Sequence, residues 1–200
     1  HVSLGTYPIW KWGGAELREL YVPKLISGEY MGAYGLTEPG AGSDSGGTAT
    51  TAELVGDEYV LNGRKCFITN ANHAGVFIVT AVTDRSLGSK GISAFVVPRD
   101  IEGFSLEPGE TKLGMRGSDW ASLVFQDARI PRSHLLGPAG EGFSTFMKTL
   151  EGGRISIGAL SLGLAEGAFE CAPKYAMERE AFGGSLADQQ AVQFKLADMR

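Results

Sequence analysis

A change of hydrophobic period divides this chain, and it limits the fold more than any other feature. From about Met31 to Pro131 the apolar residues come in short β-branched runs separated by turn residues. After Pro138 they recur at helical spacing. Val76 to Val82 and Ile92 to Val97 read as strands on either side of a polar DRSLGSK loop, and Ser122 to Phe125 as another short strand. The stretch EYVLNGRKCFIT, Glu58 to Thr69, predicts a hairpin with Asn62-Gly63 at its turn, because that dipeptide tolerates positive φ. Short strands at this spacing predict a sandwich or barrel.

On the helical side, Phe143, Phe146, Met147 and Leu150 fall at i, i+3, i+4 and i+7, and the stripe continues through Ile157, Leu160 and Leu164. Gly153, Gly158, Gly163 and Gly167 interrupt it, each at a cost of about 1 kcal/mol against alanine. That cost makes sense where another helix or a ligand approaches the backbone. A second helix starts near Ser185 or Asp188. Before the β region, Gly5, Pro8, Gly13 and Gly14 predict loop and broken helix, and Ala15 to Tyr21 a short helix that ends before Pro23. The class is α+β, a central β-sandwich or barrel flanked by helical segments. Residues 1–30 end one helical domain, 31–135 form the β domain, and 136–200 begin a second helical domain.

The 43% apolar and 20% charged composition is that of a globular protein. A net charge of −5 and the lack of a Lys/Arg run interleaved with aromatics exclude a nucleic-acid stripe. Cys66 and Cys171 have no metal spacing and read as buried free thiols. His1, His73 and His134 show no ligand or triad spacing, and no G-x-S-x-G elbow is present. No apolar run approaches the roughly 20 residues of a membrane span, and no signal or transit peptide is evident. The chain starts at His1 without Met and stops inside VQFKLADMR without a helix stop, so it reads as a fragment.

Two segments carry the chemistry. In YGLTEPGAGSD, Tyr34 to Asp44, the small residues Gly40, Ala41, Gly42 and Ser43 leave backbone N–H groups uncovered, and Thr37 and Ser43 add hydroxyls. A plain surface turn would look the same in isolation. Glu38, before Pro39, reads as a carboxylate that fixes the turn. In FITN, Phe67 to Asn70, an aromatic beside a hydroxyl suits a flat ring whose edge needs a hydrogen bond, although the bare string is also an ordinary strand end.

Together with KLGMRGS (112–118), LEGGR (150–154) and MEREAFGG (177–184), these segments resemble the acyl-CoA dehydrogenases along nearly the whole chain. The resemblance implies an FAD flavoenzyme that desaturates acyl-CoA thioesters. It implies cofactor contacts at Tyr34, Leu36, Thr37, Gly42, Ser43, Phe67, Ile68 and Thr69, and at Arg179, Phe182 and Gln190 toward a neighbouring subunit. Substrate contacts are implied at Ser43, Glu151, Gly152, Gly153 and Arg154. Phe67 stands where the family often has Trp, and Trp120 where Thr is common. Arg116 reads as structural. Some relatives carry the catalytic Glu at the position of Gly153; Glu151, rotated about 200° on the helix, is a poor substitute. The resemblance therefore places the base beyond Arg200, with no catalytic residue within the chain, and implies that this chain alone binds FAD weakly or not at all and does not desaturate acyl-CoA. It further implies a homodimer or homotetramer, an electron acceptor such as electron-transfer flavoprotein, and a bacterial cytoplasmic or mitochondrial matrix location. An acyl-CoA oxidase and a non-catalytic binding or assembly module stay open as alternatives.

Overall fold

A computed structural model describes residues 1–200. The chain forms two compact units, His1–Gly152 and Gly153–Arg200. In the first, α1 (Tyr7–Trp12) and α2 (Ala15–Ser27) precede seven strands: β1 (Met31–Gly35), β2 (Thr51–Val55), β3 (Glu58–Thr69), β4 (Ala74–Val82), β5 (Ile92–Pro98), β6 (Phe104–Pro108) and β7 (Trp120–Pro131). The strands pair in the order β1-β4-β2-β3-β7-β6, with β5 also on β4. β4 is the hub: it runs parallel to β1, antiparallel to β5, and meets β2 at a single pair, Val82 with Thr51.

Alternation along β4 builds two cores. Phe77, Val79 and Ala81 join Leu61, Phe95, Leu123 and Phe125 on one face. Val76 and Ile78 join Ile9, Leu17, Tyr21, Leu25 and Phe146 on the other, where the helices pack. With both faces covered, β4 and β5 read as the near-continuous apolar runs that marked them in the sequence.

Asn62-Gly63 makes no hairpin turn. β3 runs unbroken for 12 residues, and the chain reverses earlier, at Gly56 with φ 64°. Gly63 lies at φ 144° beside a register shift between β3 and β7, and a Cβ there would stand 2.6 Å from Thr50 Cα. Asn62 reaches Asp127 on β7 instead: its Nδ2 donates to Oδ1 at 2.9 Å and its Oδ1 accepts the Asp127 N–H at 2.8 Å. The dipeptide serves a bulge and a close approach. The strand expected at Ser122 to Phe125 extends over all of β7.

α2 does not stop before Pro23. It continues to Ser27 and ends on Gly28 at φ 81°. Pro23 removes the N–H that would bond to Glu19, but both residues face solvent, which leaves that carbonyl open to water. Leu17, Tyr21 and Leu25, spaced four apart and buried, hold the helix through the proline.

α3 spans Gly142–Glu178, and the second unit continues through a small hairpin, β8 (Glu180–Ala181) with β9 (Gly184–Ser185), to α4 (Gln190–Met199). By length and composition alone α3 meets the criterion for a membrane span, with an 18-residue window of mean hydropathy 1.3; helices of soluble proteins pass the same test, so it does not contradict the expectation of no membrane span. Within this chain the apolar stripe of α3 beyond Gly152 is exposed, and Cβ atoms at Gly158, Gly163 and Gly167 would meet nothing within 4 Å. Cys171 is exposed on that same helix, contrary to its reading as a buried thiol, because no core covers it here; Cys66 is buried as expected.

Candidate active site

The Tyr34–Ser43 and Phe67–Asn70 segments come together at one edge of the sheet. The first leaves β1 and closes a tight turn, in which Glu38 and Ala41 exchange backbone hydrogen bonds of 3.0 and 3.1 Å. Thr37 C=O accepts the Cys66 N–H at 2.8 Å, which ties the turn to β3. The Glu38 carboxylate is buried and accepts N–H bonds from Ala49 at 2.6 Å and Thr50 at 3.2 Å, so it fixes the turn as its place before Pro39 suggested.

Its other partner escaped the sequence reading. Lys65 is wholly buried, and its Nζ donates to Glu38 Oε1 at 2.7 Å, Thr80 Oγ1 at 3.0 Å and Leu36 O at 3.4 Å. Burial lowers the Lys65 pKa to about 8 against the pull of Glu38. Burial pushes Glu38 up, but the Lys65 charge and the N–H bonds outweigh it, and its pKa lies below the ordinary value. The only signal in sequence was a lysine inside an apolar strand, which reads equally well as a solvent-facing residue.

Two residues beyond Lys65, the strand bulges. Phe67 takes φ 60° where the register with β7 shifts between Lys65 and Ile68. Positive φ in a bulky residue is strained. The bulge throws the Phe67 ring outward, 66% exposed, with its centroid 5.2 Å from that of Trp120. Ile68 then points into the core, so only its backbone faces the site, while Thr69 is exposed.

Phe67 and Thr69 form a lip between two hollows. One, of about 290 Å³, is lined by His1, Leu4, Tyr34 and Asn70 among others. The second, about 380 Å³, is lined by Glu110, Thr111, Lys112 and Trp120. Tyr34 stacks on Phe146 at 4.2 Å and donates to its carbonyl at 3.0 Å; burial raises its pKa and keeps the hydroxyl protonated. His1 accepts the Gly32 N–H and bonds Leu25 O, a satisfied histidine as expected. Leu36 packs against the helix-side core. Gly42 and Ser43 are exposed, and a Cβ on Gly42 would meet nothing within 4 Å. Arg116 donates only to Lys112 O, within its own loop.

Glu151 and Gly152, which close the first unit, and Gly153 and Arg154, which open the second, follow one another along α3. Glu151 and Arg154 are exposed and form no ion pair with each other. Arg179, Phe182 and Gln190 lie in the second unit. Phe182 and Gly183, at φ 56° and 81°, make the two-residue turn of the β8–β9 hairpin, which leaves the Phe182 ring 95% exposed. Arg179 and Gln190, the first residue of α4, are likewise exposed.

The curled β domain thus sets an outward aromatic ring and a hydroxyl side by side at the lip of a groove. Comparison with known proteins names the class. Residues 33–128 match the acyl-CoA dehydrogenase middle domain and 140–200 its C-terminal domain. The human mitochondrial short-chain specific acyl-CoA dehydrogenase is 49% identical over 98% of this chain and 48% of its own length. The structure of butyryl-CoA dehydrogenase from Megasphaera elsdenii superposes with a TM-score of 0.94, at 44% identity, over 99% of this chain and 52% of that one. That of a Bacillus anthracis acyl-CoA dehydrogenase complexed with FAD gives 0.93, at 41% identity, over 100% of this chain and 34% of that one. This chain belongs to the acyl-CoA dehydrogenase family. It spans about half the length of the curated relatives it matches.

Proposed function

We propose that the protein carrying this chain is an FAD-dependent dehydrogenase of short-chain acyl-CoA thioesters, and that this chain supplies the β-domain wall of its flavin site. The observation that supports this most directly is the lip at Phe67 and Thr69, where a strained bulge exposes an aromatic face next to a hydroxyl. FAD fits these residues: Phe67 would offer its ring face to a flat ring, Thr69 a hydroxyl to a ring edge, and Gly42 and Ser43 an uncovered backbone to polar or anionic groups.

When bound, the flavin supplies the acceptor for the hydrogen leaving the substrate β carbon. The chain's own part is to orient the ring and exclude water from one face. Removal of the α proton needs a base. Gly153 has no side chain to titrate, and on this reading the base is a residue outside this chain. Arg179 and Gln190 serve the cofactor of a second subunit in a homodimer or homotetramer; Arg179 suits a pyrophosphate through its fixed donor fork. Electrons pass on to a carrier such as electron-transfer flavoprotein, in the bacterial cytoplasm or the mitochondrial matrix.

The test is the visible spectrum of the purified full-length protein before and after anaerobic addition of butyryl-CoA. A flavin band that bleaches is expected, together with weaker flavin retention in Phe67→Ala and Thr69→Val. A colourless protein, or a yellow one that no acyl-CoA bleaches, sinks the reading.

A further inference from the structure

Lys65 and Glu38 are the one buried ion pair in the chain, with side chains 0% and 4% exposed. Neither touches the groove, yet between them they hold both of its segments. Lys65 grips the turn at two places, the Leu36 carbonyl and the Glu38 carboxylate, and uses its third donor on Thr80 of β4. Glu38 in turn holds the N–H groups of Ala49 and Thr50, where the chain returns from the Gly42–Ser43 segment to β2. Lys65 also sits immediately before the shift that puts Phe67 at φ 60°. The stem of Lys65 runs beneath β1: a Cβ on Gly35 would lie 3.4 Å from its Cγ.

A buried ion pair is a weak source of net stability, because desolvation offsets most of the attraction, and apolar residues of similar volume often do as well. What it supplies that a Leu–Met contact cannot is directed bonds of set length to carbonyl and amide groups.

We propose that Glu38 and Lys65 are a positioning pair for the cofactor, which sets the distance between the Thr37–Ser43 turn and the Phe67–Thr69 lip. This rests on the flavin reading above. It predicts that stability and flavin geometry separate.

The experiment compares Glu38→Gln, Glu38→Asp, Lys65→Met and the double variant Glu38→Gln/Lys65→Met in the full-length protein. Each is measured for urea midpoint, FAD dissociation constant, visible circular dichroism of the flavin, and amide hydrogen exchange of the cofactor-free form. The single variants Glu38→Gln and Lys65→Met lose stability, since each strands a buried polar partner. The double variant regains most of it. It is nevertheless expected to bind FAD at least tenfold more weakly, with an altered flavin dichroism, and to exchange Ala41, Ala49, Thr50 and Cys66 amides at least tenfold faster. Glu38→Asp, which keeps the charge, recovers part of the flavin affinity. A double variant that regains both stability and wild-type FAD binding, or wild-type exchange at those amides, overturns the proposal and leaves the pair purely structural. A wild-type protein without flavin refutes the functional reading instead, while the exchange data still decide whether the pair holds the turn.

Discussion

Replacing Gly63 with alanine distinguishes the two uses a chain can make of Asn-Gly. At a hairpin turn an alanine in a left-handed conformation costs about 1–2 kcal/mol, with no partner elsewhere in the fold. In this structure two costs combine. The backbone at φ 144° is strained for any side chain, about 1–3 kcal/mol. The new Cβ also meets Thr50 at 2.5 Å from Oγ1, 2.6 Å from Cα and 2.8 Å from Cβ, and relief of such overpacking costs about 1–3 kcal/mol. The expected loss is about 2–6 kcal/mol, a drop of about 1–3 M in the urea midpoint at an m-value near 2 kcal/mol/M. Thr50→Ala should rescue little of it, because Cα and Cβ remain. Thr50→Gly should rescue more, with a coupling of about 0.5–3 kcal/mol in the double-mutant cycle. Because the Thr50 N–H sits on Glu38, the displaced backbone should weaken flavin binding too. Tryptophan fluorescence in urea and an FAD titration are sufficient assays. A loss below about 1 kcal/mol that adds independently to that of Thr50→Gly refutes the close-approach reasoning.

His134 is buried, with Nδ1 bonded to Val96 O at 2.9 Å and its ring edge-on to Tyr21, and burial lowers its pKa below 6.5. Between the lowered value and 6.5 the unfolded chain binds more protons, so stability falls as pH drops through that window. The urea midpoint of wild type should therefore decline more steeply from pH 7 to 5.5 than that of His134→Gln; equal slopes contradict the burial argument. Phe146→Ala should cost about 3–5 kcal/mol in a urea titration, since it empties a fully buried site and removes the stack under Tyr34. The chain of 200 residues on its own should show no dye-linked turnover of butyryl-CoA, and measurable turnover would place a base within it.

The β region was legible because β4 and β5 are covered on both faces, and complete burial leaves unbroken apolar runs in the sequence. The Tyr34–Ser43 and Phe67–Asn70 segments were legible because glycines, hydroxyls and an exposed aromatic are poor choices for a core and stand out in one. Where local signals pointed the wrong way, tertiary contacts prevailed. Pro23 lies on the wet face of α2, and three buried residues outweigh its missing bond. Asn62 and Gly63 are spent on Asp127 and Thr50, residues distant in sequence, and no local rule sees them.

Composition, hydrophobic period and motif order determined the α+β class, the succession of β region and helices, and which residues border the candidate flavin wall. Tertiary structure alone decided how they face. A one-residue shift in a strand inverts its sides, so the bulge between Lys65 and Ile68 is what sends Phe67 outward and Ile68 into the core. The pairing of Lys65 with Glu38, 27 residues away, likewise exists only once β1, β3 and the intervening turn are assembled, because a buried charge becomes tolerable only when its partner and its hydrogen bonds arrive with it.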